Sequence, residues 1–186
     1  MIIAETERLI LRRWQPLDRE PFARMNADPR VMEHFPAPLT AEESGQAVDR
    51  IEAHFTERGF GLCAAELRET REFIGFIGLS RPRLVAHFTP CVEIGWRLAS
   101  DYWGRGLATE GAGEMLRYGF EHLALDEIVS FTVAANLRSR RVMEKLGMIR
   151  DSADDFDDPG LPPGHPMRRH VLYRLKGREW RRGLAE

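Results

Sequence analysis

The chain has 186 residues, of which 43% are hydrophobic and 30% charged, as is typical of one soluble globular domain with a substantial core. Its 27 basic and 29 acidic residues give a net charge of −2, so no global field favours nucleic acid or a membrane surface. We therefore expect neither of these as a partner.

The first part of the chain predicts a strand followed by helices. The apolar run at 9–14 predicts a strand that ends before Pro16, because proline has no backbone N–H to donate to a sheet. Residues 18–34 have helical character but contain Pro29, which predicts two short helical pieces.

A better-marked helix and two strands come next. The capping-box sequence at 40–43 predicts the start of a helix that ends at Gly59. Strand-like runs follow at 60–67 and 73–80, and the two internal glycines of the second run are expected to weaken it.

The rest of the chain alternates between strands and helices. The predicted elements are a strand at 91–98, a helix at 109–123, a strand at 128–134, a helix at 137–146 and a strand at 170–175. This order predicts a mixed α/β domain with a largely antiparallel first half and a βαβα unit at its centre. We expect residues 1–176 to form this single domain and residues 177–186 to form a charged, peripheral tail.

The segment 91–110, C-V-E-I-G-W-R-L-A-S-D-Y-W-G-R-G-L-A-T-E, is the most informative in the chain. It predicts a strand that leads through a glycine-rich turn into the N-terminus of a helix. Unpaired backbone N–H groups converge at such a terminus, and the helix dipole adds positive charge there. The segment therefore predicts a site for a phosphate-bearing ligand.

Two nucleotide-binding motifs fit this turn poorly. A Walker loop requires G-x-x-x-x-G-K-[ST], and the sequence contains no such string. A dinucleotide fingerprint requires a third glycine where Thr109 stands, and a carboxylate at about 134–136, where the sequence reads Ala-Ala-Asn. A tight turn without a ligand is the remaining alternative, because glycine also permits such a turn.

The turn sequence Trp103-Gly-Arg-Gly-Leu-Ala108 resembles the acyl-CoA-binding motif of the GNAT superfamily of N-acyltransferases. The longer string E-I-G-W-R-L…Y-W-G-R-G-L-A-T-E resembles the branch related to the ribosomal-protein N-terminal acetyltransferases. Sections at 6–12, 28–32, 73–78 and 136–147 are similar to further motifs of that branch. The resemblance implies a GNAT-like domain, with a central, mostly antiparallel mixed sheet, a splayed strand pair and flanking helices.

The same resemblance implies acetyl-CoA as cosubstrate and indicates the residues that bind it. The backbone of Trp96 and Leu98 would pair with the pantetheine arm, and Asn136 would either contact the cofactor or cap a helix. The amides that would hold the pyrophosphate belong to Gly104, Arg105, Gly106, Leu107, Ala108 and Thr109.

Two residues depart from the family pattern. Trp103 stands where many members have Gln or Arg, which is expected to change packing rather than phosphate binding. Met143 stands where many members have the tyrosine that protonates the departing thiolate, and methionine cannot donate a proton.

Glu93 and Ser139 are the candidate catalytic residues. Glu93 is the one carboxylate of an apolar strand and matches the position where many relatives have a general base; the alternative is a solvated or arginine-paired carboxylate. Ser139 is the candidate proton donor because Met143 cannot serve, and a serine there resembles the ribosomal-protein branch. It is equally an ordinary serine of a first helical turn.

The resemblance implies an N-acetyltransferase in which an acceptor amine attacks the acetyl group directly within a ternary complex. The acceptor is expected to be a protein N-terminus or a small-molecule amine. Five aspartates within 151–158 either attract a cationic acceptor or form a solvated loop. An acyl-CoA-binding regulatory or interaction module without turnover is the alternative function, and a homodimer is compatible with exposed strand edges.

The remaining expectations concern metals and location. The six histidines show no ligand spacing, so no metal is expected. Cys63 and Cys91 are not in a C-x-x-C spacing and are expected to be reduced thiols. Because the N-terminus lacks the pattern of a signal peptide, we expect a cytoplasmic protein.

Overall fold

A computed structural model describes residues 1–183. The chain divides into two compact units, one formed by residues 1–80 and 95–115, the other by residues 81–94 and the chain from 116 onward. One strand and one helix of the chain run from one unit into the other.

The first unit contains an antiparallel run of four strands, in which each strand pairs with the next along the chain. The end of a fifth strand, β5 (Glu93–Leu98), lies beside the fourth, and the Ala99 N–H after it donates to the Ile74 carbonyl at 2.9 Å. The four strands are β1 (Ile2–Glu5), β2 (Leu9–Arg12), β3 (Leu62–Leu67) and β4 (Phe73–Ser80).

Two helices of this unit follow β2, and the second confirms the predicted capping box. Helix α1 spans Arg19–Ala27 and helix α2 spans Ala41–Arg58. The Glu43 N–H donates to the Thr40 hydroxyl at 3.2 Å, and the Thr40 N–H donates to the Glu43 carboxylate at 2.8 Å. Gly59 ends the helix with φ 79°, a left-handed conformation that costs glycine little.

The second helical piece predicted around 29–34 is wrong. The chain there forms turns, in which the Met32 N–H donates to the Asp28 carbonyl at 3.1 Å. The Asp28 side chain meanwhile accepts from the Arg30 N–H at 2.9 Å. A side chain that binds its own backbone in this way offers an alternative to continued helix.

Gly75 has a structural role that the sequence analysis did not anticipate. Its φ is 139°, and a Cβ there would lie 2.1 Å from the Arg97 carbonyl oxygen. Only glycine allows β4 to approach β5 so closely. The glycine that was expected to weaken this strand therefore also permits its approach to β5.

The core of the first unit combines aromatic packing with a buried ion-pair network. The Trp14 ring meets the Phe22 ring edge-on, with centroids 4.8 Å apart, and Phe73 lies 5.4 Å from Trp14. Close by in the sequence, the Arg12 guanidinium binds both Asp18 and Glu66 at 2.7 Å, and all three residues are at most 5% exposed.

The second unit contains the start of β5, four further strands and segments of three helices. Glu93 of β5 lies opposite Val129 in parallel pairing, and the next strand, β6 (Glu127–Val133), pairs antiparallel with β9 (Arg169–Lys176). The short strands β7 (Ile149–Arg150) and β8 (Phe156–Asp157) also pair with β9. The helices are α3 (Leu107–Glu121), which enters from the first unit, α4 (Leu137–Lys145) and α5 (Gly177–Gly183).

Several predicted bounds require correction. Helix α3 begins at Leu107, two residues earlier than predicted, so Leu107, Ala108 and Thr109 form its first turn. The predicted tail begins with helix α5, in which the Trp180 ring lies 5.4 Å from that of Phe120. Residues 184–186 of that tail lie outside the described residues.

The fold class agrees with the prediction. The described residues form nine strands. Of the strand pairs described above with their direction, only that of β5 with β6 is parallel, and the others are antiparallel. Helices flank these strands, so the mixed, mostly antiparallel α/β fold is confirmed. None of the described helices combines the length and the apolar character needed to cross a membrane.

Candidate active site

The glycine turn after β5 presents a row of free backbone donors. Gly104 and Gly106 adopt φ values of 71° and 77°, in the left-handed region that glycine tolerates best. The Glu110 N–H donates to the Gly106 carbonyl at 3.0 Å and so starts the ladder of α3. Within residues 1–183, the amides of 104–109 before it have no backbone acceptor. This is an anion-binding arrangement.

A side-chain clamp holds the turn against the start of β2. The Glu110 carboxylate accepts from the Thr6 hydroxyl at 2.5 Å, the Arg8 N–H at 2.9 Å and the Arg8 Nε at 2.6 Å. Arg8 in turn donates from Nη1 to the Arg105 carbonyl at 2.9 Å. The clamp holds that carbonyl on Arg8 and orients the peptide between Arg105 and Gly106.

The sequence analysis missed this clamp although its members lie in the quoted motifs. A glutamate in the first turn of an anion-binding helix places negative charge where the ligand would bring its own. This repulsion is the feature of the sequence from which the clamp could have been predicted, because it implies that a cation binds Glu110. Arg8 supplies that cation through contacts at 2.5–2.6 Å.

Trp103 connects the end of β5 to the turn. Its indole Nε1 donates to the Leu98 carbonyl at 2.8 Å, so the residue that replaces the family's Gln or Arg has a packing and anchoring role here. Trp96, which lies two residues before Leu98 in β5, is partly exposed. The Ser100 hydroxyl also donates to Asp28 at 3.0 Å, which fixes the chain between strand and turn.

Glu93 begins β5 in the second unit and has an unusual environment. Among the described residues it has no ion pair or hydrogen bond to its carboxylate, so the arginine-paired alternative is wrong. The residue keeps some accessible surface, yet burial raises its pKa from 4.5 to about 8. The neighbouring Ile94 carbonyl accepts from the Ser130 hydroxyl at 2.9 Å, which fixes the strand next to Glu93.

Asn136 and Ser139 are brought together at the start of α4. The Ser139 N–H donates to the Asn136 Oδ1 at 3.2 Å, and the Asn136 Nδ2 donates to the Thr132 hydroxyl at 3.0 Å. The capping role of Asn136 is confirmed, and both ends of its amide are engaged. The Ser139 hydroxyl has no partner among the described residues, whereas Met143 is 1% exposed and serves the core.

The acidic segment 151–158 is largely neutralised by its own neighbours. Asp154 accepts from Arg174 at 2.6 Å and lies 3.4 Å from His87, and Asp155 pairs with Arg150. These partners lower the pKa values of both aspartates. Asp157 and the remaining aspartates bind arginines or nearby backbone N–H groups of the same segment. The geometry favours a structural loop over a cation-attracting patch.

The structure thus groups the candidate residues within each unit. In the first unit, Leu98 is joined through Trp103 to the turn at 104–109, and in the second unit Asn136 is joined to Ser139. Among the residues described, no group of three or more His, Cys, Asp or Glu side chains is arranged to hold a metal ion.

Comparisons with known proteins identify the family. Residues 8–149 match the family described as the Acetyltransferase (GNAT) domain. The chain is 33% identical over 175 residues to the FsC-acetyl coenzyme A-N(2)-transacetylase of Aspergillus fumigatus, covering 88% of this chain and 72% of the relative.

Solved structures agree with this assignment. An acetyltransferase from Agrobacterium tumefaciens superposes with a TM-score of 0.75 at 30% identity, covering 92% of each chain. The fold alone is shared with the spermidine N-acetyltransferase of Vibrio cholerae in complex with CoA and spermine, with a TM-score of 0.73 at 16% identity, over 94% of this chain and 99% of that one. The chain belongs to the GNAT acetyltransferase family and is an acyltransferase.

Proposed function

We propose that this protein transfers an acetyl group from acetyl-CoA to a primary amine, which attacks directly within a ternary complex. The observation that carries the proposal is the row of free amides at 104–109. Together with the family, it supports a CoA thioester as the donor. The proposal is strengthened by relatives whose names include acetyl coenzyme A and CoA.

The glycine turn would accommodate the phosphates of CoA. A Cβ at Gly104 would meet nothing within 4 Å, so the turn is open on that side. The amides of Gly104, Arg105, Gly106, Leu107, Ala108 and Thr109 would hold the pyrophosphate, supported by the dipole of the 15-residue helix α3. The backbone of Trp96 and Leu98 would align the pantetheine arm. When bound, acetyl-CoA supplies the activated acetyl thioester.

Glu93 would accept the proton that the acceptor amine must lose. Its raised pKa, about 8, brings the carboxylate close to the range in which a general base works best near neutral pH. The Ser139 hydroxyl would donate a proton to the leaving sulfur, since no described residue competes for it. Asn136 would orient Ser139 through the cap, and a cofactor contact would require one of its present hydrogen bonds to be exchanged.

The acceptor is proposed to be a protein N-terminus or a small-molecule amine. The solved neighbour bound to spermine is an example of the second class.

Free thiols at Cys63 and Cys91 fit our proposal that the protein acts in the reducing cytoplasm. Burial raises the pKa of Cys63 to about 12 and that of Cys91 to about 11, so both are poor nucleophiles.

Ligand-induced stabilisation tests the donor half of the proposal. Acetyl-CoA and CoA at ~100 times their dissociation constants should each stabilise the folded protein by about 2.7 kcal/mol and raise its melting temperature by several degrees, whereas NAD should not. An equal response to NAD, or none to CoA, would contradict the assignment of the turn.

The Glu93→Gln variant separates an enzyme from a binding module without turnover. The enzyme should lose amine acetylation while its acetyl-CoA affinity stays within about twofold. The matched control is Glu121→Gln, which removes an exposed carboxylate at the far end of α3. If wild type and Glu93→Gln bind acetyl-CoA equally and neither acetylates any amine, the module is the correct description.

A further inference from the structure

Arg97 is a largely buried cation that has no anionic partner among the described residues. It lies in β5, and its Nη1 donates to the Asn26 Oδ1 at 2.8 Å. Its Nε is fully buried and has no hydrogen-bond acceptor. Among the described residues, no carboxylate lies within ion-pair distance of the guanidinium.

The surroundings of this guanidinium are aromatic rather than acidic. Its central carbon lies 4.1 Å from the centroid of the Phe35 ring and 5.5 Å from that of Phe76. Asn26, which is the hydrogen-bond partner of the guanidinium among the described residues, is completely buried and also donates to the Ser44 hydroxyl at 3.1 Å. Burial lowers the pKa of Arg97 to about 10, which is the direction expected for a desolvated cation without an opposite charge.

This arrangement is costly unless something else binds there. An unpaired buried N–H and an uncompensated buried charge each destabilise a fold, and the two ring faces offset only part of that cost. Arg12 in the same unit is also buried, yet it has two carboxylate partners. The contrast indicates that no residue within the described part of the chain, 1–183, is the missing partner of Arg97.

We propose that Arg97, Asn26 and Phe35 form a subsite for a carboxylate carried by the acceptor amine, an inference that rests on the proposed function. The guanidinium has an unused Nε donor of the kind that carboxylates accept in bidentate pairs. Phe35 is 37% exposed and covers the guanidinium, so it provides an apolar wall beside the charge. Arg97 as a whole keeps some accessible surface, although its Nε is buried, so a ligand would reach the Nε only if the surrounding side chains move.

The neutralised acidic loop agrees with this assignment. The aspartates at 151–158 are occupied by arginines and backbone groups. They therefore provide no strong preference for a polycationic acceptor. An unpaired buried arginine favours the opposite class, an amine that also carries a negative charge.

The subsite can be tested by NMR without turnover. In protein with [15N]arginine, the Arg97 Nε–H signal is assigned by its loss in Arg97→Gln. Titration with 3-phenylpropanoate should shift this signal, and the neutral 3-phenylpropanamide should not. Equal shifts with both probes, or no shift with the carboxylate up to its solubility limit, would overturn the proposal.

Asn26→Asp is the sharpest variant because it supplies the missing carboxylate from within the protein. The new carboxylate would lie 2.8 Å from Nη1 and can still accept from the Ser44 hydroxyl, so folding should be retained. The variant should lose the response to 3-phenylpropanoate. If it responds as wild type does, the proposal is wrong.

A CoA titration distinguishes the two possible sources of the anion. If CoA shifts the Arg97 signal as 3-phenylpropanoate does, and competes with it, Arg97 serves the cofactor phosphates and the acceptor assignment is overturned. If CoA binding leaves both the signal and the probe response intact, the subsite belongs to the acceptor.

Acceptor selection provides the kinetic arm. Across a panel of amino acids and their carboxamides, wild type should prefer the free acids by about 10- to 100-fold in kcat/KM, as expected of a charge-assisted pair. Asn26→Asp should erase that preference. Acetylation of acids and amides alike would overturn the subsite but leave the proposed function intact. If Arg97 responds to the carboxylate but the protein transfers no acetyl group, the result would support the subsite and overturn the proposed function.

Discussion

At the scale of single residues, the pKa of Glu93 links its environment to its proposed role. A carboxylate with a pKa of about 8 is mostly protonated at neutral pH and can accept a proton only in its ionised fraction. The same burial that makes it a stronger base therefore limits how much of the base is available. This balance predicts a rate that depends on pH.

We expect kcat/KM for amine acetylation to rise with pH up to about 8 and then to level off. Glu93→Gln should lower kcat/KM by about 10²- to 10⁴-fold, and its residual profile should follow only the ionisation of the acceptor amine. Rates measured with one amine for both proteins provide the test. A wild-type profile that matches that of the variant would exclude Glu93 as the base.

The same residue should make stability depend on pH. Its folded-state pKa, about 8, lies above the ordinary value of 4.5, so the folded protein binds more protons than the unfolded chain between these pH values. The free energy of unfolding then falls as pH rises through this window. Above pH 8, the free energy of unfolding of Glu93→Gln should exceed that of wild type by about 1–3 kcal/mol. This value is reduced because Glu93 is partly exposed. Chemical unfolding at pH 4 and pH 9 should show a difference only at the higher pH.

Ser139 donates its backbone N–H to the helix cap, and its hydroxyl has no hydrogen-bond partner within residues 1–183. Ser139→Ala should therefore preserve stability and CoA affinity while lowering kcat by about 10- to 100-fold, a modest general-acid effect. Ser139→Thr, which keeps a hydroxyl, is the control and should retain more activity. An unchanged kcat in the alanine variant would return this residue to a purely structural role.

At the scale of elements, the turn between β5 and α3 is shaped by contacts from elsewhere in the first unit. Arg8 and Glu110 hold the Arg105 carbonyl, and Asp28 holds Ser100. These side chains present the row of amides as a fixed site. A site that is fixed before binding loses less conformational entropy when the ligand arrives.

Glu110→Gln tests whether this clamp matters for binding. Removal of a negative charge next to an anion site would by itself tighten CoA binding, whereas loss of the clamp should weaken it. We expect weakening, by about fivefold, because the variant loses an ionic contact to the half-exposed Arg8 that is worth about 1 kcal/mol. Calorimetric titration with CoA provides the measurement, with Glu121→Gln as the control. Tighter binding would show that Glu110 acts only through its charge.

Elements with a complete local signal could be predicted from the sequence. Helix α2 has its cap at Thr40 and its stop at Gly59, and both were found as expected. The two-residue strands β7 and β8 could not be predicted, because they exist only through pairing with β9. The helix predicted around 29–34 was wrong for a similar reason. Asp28 binds Arg30 and Ser100 there, and the chain does not continue as a helix.

The parts of the candidate site that depend on local backbone structure could be predicted from the sequence. The parts that depend on contacts between distant side chains could not. The glycine turn and the Asn136 cap follow from local sequence. The clamp joins Arg8 to Glu110 across 102 positions, and Arg97 meets Asn26 across 71. No local pattern encodes such contacts, because they depend on how the strands and helices are assembled.

At the scale of the whole molecule, stability depends strongly on the network around Arg12. Both carboxylate partners raise the pKa of its guanidinium, the Asp18 hydrogen bond most of all. Arg12→Ala would leave the buried Asp18 without a cation and Glu66 with Arg71 alone, so we expect a loss of about 3–5 kcal/mol in the free energy of unfolding. The exposed pair of Arg24 with Glu20 is the control, and Arg24→Ala should cost less than about 1 kcal/mol. Similar losses in urea unfolding would contradict this view of the core.

The central claim is that this chain moves an acetyl group from acetyl-CoA to an amine. The most direct test is mass spectrometry of a panel of amines incubated with acetyl-CoA and the wild-type protein, with release of free CoA followed in the same samples. We predict acetylated amine and free CoA in equal amounts, both dependent on the protein and both abolished by Glu93→Gln. Acetyl-CoA binding without acetylation of any amine, or CoA release independent of the amine, would contradict the account.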